Sequence, residues 1–382
     1  VARGGVGMTT IAYAAVCQSG LSFNGQLWMR EEIVPELKKL TDAIHAEGAK
    51  ASIQLGHCGN MTHRATCGCM PVGASSGFNL YSPTFVRGLK KEEIYELVKD
   101  FGDAVNLARK AGFDCVEIHA GHGYLISQFL SPFTNHRKDE YGGSLDNRMR
   151  FMRECMREVI AAATAPDGTR RIAVTAKINT RAGFKGGMEV EDCIEVAREL
   201  QRLGVDALVL SGGFVSRAPM YVMRGQFPVP VFVHYFPWRQ WWLKLGILPF
   251  GKVVAPTVTF KKLYFLEDAL KFREALPGMP LVYVGGVTSR EDAEKVLDLG
   301  CGSGILSILA LLLGCNFAFD KNDNAFAGDN IQKMVRSAGE NAKNSVNNVV
   351  KTFSEEFGTR TDKKADEKQT VPEEEKPVQE VK

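Results

Sequence analysis

Short apolar runs alternate with long amphipathic stretches along this chain. The runs fall at 6–14 (VGMTTIAYA), 51–56 (ASIQLG), 114–120 (DCVEIHA), 171–178 (RIAVTAKI), 206–212 (DALVLSG) and 280–286 (PLVYVGG), with a candidate seventh at 304–312 (GILSILALL). Between them, at 30–48, 90–112, 147–165, 190–204 and 289–300, apolar residues recur three and four apart. A short continuous apolar run fits a strand buried on both faces, and the longer period fits an amphipathic helix. Several helical stretches stop at Gly, a common helix terminator. Strands alternating with helices predict parallel β/α units. Seven such units fit a (β/α)8 TIM barrel of the α/β class with one strand missing ahead of Val1, better than they fit an open sheet. The expectation is therefore an N-terminally truncated barrel domain over residues 1–340.

Two regions break the rhythm. Residues 214–262 form an aromatic, Pro-rich insertion in a βα loop, with Tyr235, Phe236, Trp238, Trp241 and Trp242 beside Arg239 and Lys244. A lid over the barrel top is the first reading, and a membrane-interface contact is the other. Residues 352–382 are mostly Glu, Lys, Asp, Thr and Pro, a composition that predicts a disordered tail.

Composition narrows the picture only a little. The chain has 382 residues, 45% hydrophobic and 24% charged, which suits one large or two ordinary globular domains. A net charge of +3 gives no field that would favour nucleic acid. Nine scattered cysteines read as reduced thiols, and with them a cytoplasmic location. No apolar run reaches the roughly 18 residues of a spanning helix. The chain opens on Val inside a β/α unit without a signal-peptide pattern, and we read its start as that of a fragment.

The chemistry concentrates between Cys115 and Phe151, in CVEIHAGHGYLISQFLSPFTNHRKDEYGGSLDNRMRF. A strand ends at His119. His122 and Tyr124 follow in a turn flanked by Gly121 and Gly123. Two imidazoles and a phenol thus share the C-terminal rim of a strand, where barrel enzymes place their active sites. Imidazole donors suit a carbonyl oxygen that gains negative charge, and a phenol can deliver a proton. On spacing alone, a His pair that caps the turn or binds a metal is the alternative.

The whole run resembles the signature of the Old Yellow Enzyme family, FMN-dependent NAD(P)H:flavin oxidoreductases of the ene-reductase type. It carries His119, His122, Gly123, Tyr124, Leu125, then Phe129 to Pro132, Asn135, Arg137, Asp139, Tyr141 to Ser144, Asn147 and Arg148. The resemblance runs over roughly 1–300 and implies a cofactor site. Gln54 would reach the flavin pyrimidine edge, Lys177 would face flavin N1 and O2, and Gly285 and Gly286 would present amides to the FMN phosphate. Gly5, with Gly4, would lie near the flavin. A lysine facing inward and paired with a carboxylate is the other reading of Lys177. The implied reaction passes hydride from NADH or NADPH through flavin N5 to the β-carbon of an α,β-unsaturated carbonyl or a quinone. His119 and His122 would polarise the carbonyl and Tyr124 would protonate the α-carbon. The partners are then small molecules, not nucleic acid, and no metal is expected. Zinc at Cys58, His63, Cys67 and Cys69 has spacing that fits no common pattern.

Two departures from the family pattern stand out. The first barrel strand is absent, and no Arg occurs near Leu309, where the family places its phosphate-gripping Arg. Instead the chain reads VLDLGCGSGIL over 296–306, similar to the glycine loop of S-adenosylmethionine-dependent methyltransferases. In that reading Asp298, Gly300, Gly302 and Gly304 form the loop and Asp320 meets a ribose. Too little chain follows for a complete methyltransferase sheet, so the first half of the stretch is expected to end a helix and the second to begin an eighth strand. An inactive barrel remnant acting as a binding module is the remaining alternative.

Overall fold

The computed structural model describes residues 1–300 except 80, 81, 83 and 227–256; the side chains of 297–300 also lie outside the description. In order, the chain forms β1 (Met8–Ala15), α1 (Val34–Ala46), β2 (Lys50–Gly56), α2 (Arg64–Cys67), β3 (Val72–Gly73), β4 (Gly77–Asn79), β5 (Thr84–Gly88), α3 (Lys91–Lys110) and β6 (Cys115–His119). It continues through α4 (Leu125–Leu130), α5 (Leu145–Ala163), β7 (Ala173–Asn179), α6 (Val190–Arg202), β8 (Ala207–Ser211), α7 (Pro219–Met223), α8 (Leu266–Ala275), β9 (Leu281–Tyr283) and α9 (Arg290–Gly300).

Six strands lie side by side in the order β1-β2-β6-β7-β8-β9, every neighbouring pair parallel. They coincide with the six firm apolar runs of the sequence, and the intervening helices with its amphipathic stretches. This is the parallel β/α architecture of the TIM barrel, with six adjacent barrel strands among the described residues. The candidate strand at 304–312, the aromatic cluster at 235–242 and the tail at 352–382 lie outside the described residues. The first half of VLDLGCGSGIL is helical, as expected, because α9 runs to Gly300.

In β2, β6, β7, β8 and β9 both faces of the sheet are largely buried, by different chemistry. On the outer face Ile53, Leu55, Val116, Ile118, Val174, Ala176, Leu208 and Leu210 pack into the main core with Phe101, Phe151 and Met152 of α3 and α5. Each fully buried large side chain there contributes roughly 1.5–3 kcal/mol. The inner face carries the alternate residues. Near β8 and β9 these are Ala207, Val209 and Val282, a small apolar cluster of their own. On β2, β6 and β7 they are Gln54, Glu117, His119, Thr175 and Lys177, and the polar groups among these must find partners.

A small sheet in the order β3-β5-β4 follows α2 and was not anticipated. Its strands hold two, three and five residues, too short to show a period. The loop after β8 leads into α7. Beyond it, Gly225 and Val258 exchange backbone hydrogen bonds of 2.6 and 3.1 Å across the base of 227–256. Among the described residues no helix is long and apolar enough to cross a membrane.

Candidate active site

His119 ends β6, where all five residues are buried. The chain then makes a turn that only a specific sequence tolerates. Gly123 has φ +84°, and a Cβ there would lie 2.7 Å from the Phe214 ring. His122 also has positive φ, 58°, a costly conformation for a side chain with a Cβ. The surroundings hold it there. The His122 N–H donates to Asn179 Oδ1 at 2.9 Å, and its carbonyl accepts from the Val215 N–H at 2.9 Å. Tyr124 then starts α4, whose six residues are all buried.

This turn brings the three predicted catalytic residues together. The His119 ring centroid is 5.0 Å from that of His122 and 4.4 Å from that of Tyr124. Tyr13 of β1 closes the group, 5.0 Å from Tyr124. Its hydroxyl donates to the Gly20 carbonyl at 2.8 Å, which occupies its proton. Burial, with the neighbouring cysteines and Tyr124, pushes the Tyr13 phenol well above its ordinary pKa.

Both imidazoles are neutral. Burial lowers His122 to about 3, aided by the Lys177 charge. Burial also takes His119 well below its ordinary value, with His122 and Lys177 adding to the effect. The Gly121 N–H donates to His119 Nδ1 at 3.3 Å, so the ring proton sits on Nε2. His119 therefore caps the turn through one nitrogen, as the alternative reading had it, and keeps a single N–H donor on the other. His122 Nε2 lies 2.7 Å from Ser211 Oγ at the end of β8.

Gln54 and Lys177 meet at one carboxylate. Gln54 Nε2 donates to Glu117 Oε1 at 2.5 Å, and Lys177 Nζ lies 2.8 Å from the same oxygen. Lys177 thus takes the carboxylate pairing that the sequence left open, while its register opposite His119 keeps it beside the imidazoles. Glu117 is 2% exposed and was missed by the sequence reading. The signal for it was the two-residue alternation that also turns His119 inward. Asn179, Ser211 and Tyr13 were missed as well.

Gly285 and Gly286 follow β9 with φ +136° and +73°, at the same end of the sheet. A Cβ on either would come within 3 Å of Tyr264. The structure does not bring Gly4 or Gly5 to the site. They precede β1, whose Met8 pairs with Lys50 at the N-terminal end of β2. Parallel pairing puts them at the end of the sheet opposite His119. In the loop after Gln54, Cys67 and Cys69 have sulfurs 3.9 Å apart. Among the described residues no group of three or more His, Cys, Asp or Glu side chains is disposed to hold a metal.

Comparison with known proteins bears on this geometry. Residues 1–229 match the NADH:flavin oxidoreductase / NADH oxidase family. A 4,4'-dithiodibutanoate disulfide reductase of Rhodococcus erythropolis is 37% identical over 78% of this chain and 72% of its own length. An NADPH dehydrogenase of Listeria monocytogenes is 38% identical over 57% of this chain and 62% of its own. The fold superposes on an old yellow enzyme homologue from Zymomonas mobilis with TM-score 0.58 and 25% identity, over 78% of this chain and 75% of that one. It superposes on a 2-naphthoyl-CoA reductase in complex with 2-naphthoyl-CoA with TM-score 0.62 and 25% identity, over 79% and 42%. Residues 283–369 separately match the ribosomal protein L11 methyltransferase (PrmA) family. That similarity is wider than the glycine loop on which the sequence reading weighed it, and its part from 301 onward lies outside the described residues.

Proposed function

Because the chain belongs to the NADH:flavin oxidoreductase / NADH oxidase family, and is therefore an oxidoreductase that works with FMN and NADH or NADPH, we propose that it reduces small alkenes conjugated to a carbonyl, and quinones. The observation that carries this reading is the neutral His119–His122 pair beside Tyr124 at the C-terminal rim of β6.

The residues present suit a flavin. The Gln54 amide and the Lys177 ammonium, gathered on Glu117, offer donors and positive charge to a pyrimidine edge. The Gly285–Gly286 turn, packed against Tyr264, offers backbone amides to a phosphate. The chemistry supplied by bound FMN is the relay of hydride from reduced nicotinamide to the acceptor.

The protein's own residues do the rest. His119 donates through Nε2–H to the substrate carbonyl oxygen and steadies its growing negative charge. Its neutrality keeps it a hydrogen-bond donor rather than an acid that would give its proton away. His122, fixed by Ser211 and Asn179, takes the second donor position. Tyr124 gives a proton to the α-carbon. Tyr13 backs the Tyr124 ring and narrows the space open to water.

An organic disulfide is a second acceptor class, favoured by the likeness to the Rhodococcus disulfide reductase. One hydride and one proton turn a disulfide into two thiols, and the same donors would serve the departing thiolate. The test is anaerobic turnover of NADH and NADPH with a cyclic enone, a quinone and 4,4'-dithiodibutanoate. Saturation of the enone C=C bond, seen by mass spectrometry, supports the first reading. Disulfide cleavage without enone reduction moves the assignment to the second, and a chain that binds no flavin fits the inactive module.

A further inference from the structure

Arg224, just after α7, is a cation without a counter-charge among the described residues. No ion pair or side-chain hydrogen bond reaches its guanidinium among the described residues, and its Nε is buried without a partner. Burying an unpaired charge is costly, so something must hold it. Three rings do: the guanidinium carbon lies 4.2 Å from the Tyr264 centroid, 4.8 Å from Tyr221 and 5.4 Å from Phe265. The backbone reinforces this placement. Arg224 sits at φ 58°, ψ 165°, a region almost reserved for glycine.

The same rings abut the Gly285–Gly286 turn. A Cβ on Gly285 would stand 2.9 Å from both Tyr264 and Phe265, and one on Gly286 would stand 2.8 Å from Tyr264. Both carbonyls of the turn are tied down. Tyr283 Oη donates to the Gly285 oxygen at 2.7 Å, and the Leu263 N–H donates to the Gly286 oxygen at 3.0 Å. In a trans peptide the N–H points opposite its carbonyl, so the amides of Gly286 and Val287 turn away from these partners. Successive amides in a positive-φ turn make an anion-binding concavity, and a ring-stacked guanidinium is suited to grip phosphate oxygens.

We propose that Arg224 supplies the cation for a phosphate at the Gly285–Gly286 turn, the place to which the family resemblance already assigns the phosphate of FMN. The cation comes from the loop after β8, which answers the absence of an Arg near Leu309. The proposal rests on the flavin reading above.

The test is a fluorescence titration of flavin-free protein with FMN and with riboflavin, which lacks the phosphate. The wild type should prefer FMN. Arg224→Gln should weaken FMN about 10- to 100-fold and leave riboflavin unchanged, with Arg224→Lys in between. Unchanged riboflavin binding also shows that the variant folds. Equal wild-type affinity for the two flavins overturns the proposal, as does equal loss of both in Arg224→Gln. If the wild type binds neither, the flavin reading itself fails, and thermal melts with inorganic phosphate decide Arg224 alone. A phosphate-dependent rise in Tm that vanishes in Arg224→Gln retains the site; no rise in the wild type removes it.

Discussion

The turn from His119 to Tyr124 and the stretch from Ser131 to Arg148 are separated only by α4 and belong to one signature, yet they are built oppositely. In the turn, rings face one another and polar atoms are left to act: His119 keeps its Nε2–H, and the backbone is held in a costly shape. In the stretch, the main polar groups are spent on the chain itself. Asn135 Nδ2 donates to the Phe129 and Tyr141 carbonyls at 2.7 Å each. Arg137 donates to the carbonyls of Ala74 and Leu89 and pairs with Asp139 at 2.6 Å, locking the small β3-β5-β4 sheet to the barrel. Ser144 caps α5, and Arg148 donates to the Leu130 and Gly143 carbonyls. The residues that made the signature long are mostly frame, and the proposed chemistry rests on its first six.

Substitutions in the two regions should therefore fail in different ways. The largest effect is expected from Tyr124→Phe, which should slow alkene reduction by roughly 10²–10⁴-fold while sparing flavin reduction by NADPH. Stopped-flow measurement of the two half-reactions checks it, and equal slowing of both breaks the comparison. His119→Ala should cost about 10²–10³-fold in the same half-reaction, together with a modest fall in Tm from the Gly121 N–H it leaves unpaired. In the frame, Arg137→Ala should lower stability by roughly 2–3 kcal/mol, read as a shifted urea midpoint, and leave turnover per folded molecule nearly unchanged.

The most gradual effect concerns pH. His57 lies beneath the turn, where its carbonyl accepts the Leu125 N–H at 2.8 Å, and burial lowers its imidazole from 6.5 to about 3. His122 is lowered to about the same value. The unfolded chain therefore takes up these protons first as the pH falls. Stability is fully present above about pH 6.5 and declines toward 3, at up to about 1.4 kcal/mol per pH unit for each imidazole. Urea midpoints at stepwise pH should fall less steeply in His57→Gln; an unchanged slope would mean that His57 titrates normally.

Most barrel strands were legible because they are short, largely apolar runs buried on both faces, and Val116 and Ile118 are as apolar as the helices they meet. The small sheet was not, because Val72–Gly73 and Gly77–Asn79 are too short for any period to show. His119, His122 and Tyr124 were found because one turn carries them. Glu117, Asn179 and Ser211 stand on strand positions that become neighbours only through parallel register. The misplacement of Gly5 has the same root: nearness to a strand in sequence does not say which end of the sheet a residue occupies.

The contact between His122 Nε2 and Ser211 Oγ spans 89 positions of chain. It ties the tip of β6 to the tip of β8 across the intervening β7. A nascent chain that had reached only α6 would already contain His119, His122 and Tyr124 but not the hydroxyl that steadies the second imidazole. This cluster is thus completed late in synthesis, after two further strands have docked, so chains stalled before β8 would carry His119, His122 and Tyr124 without their final arrangement.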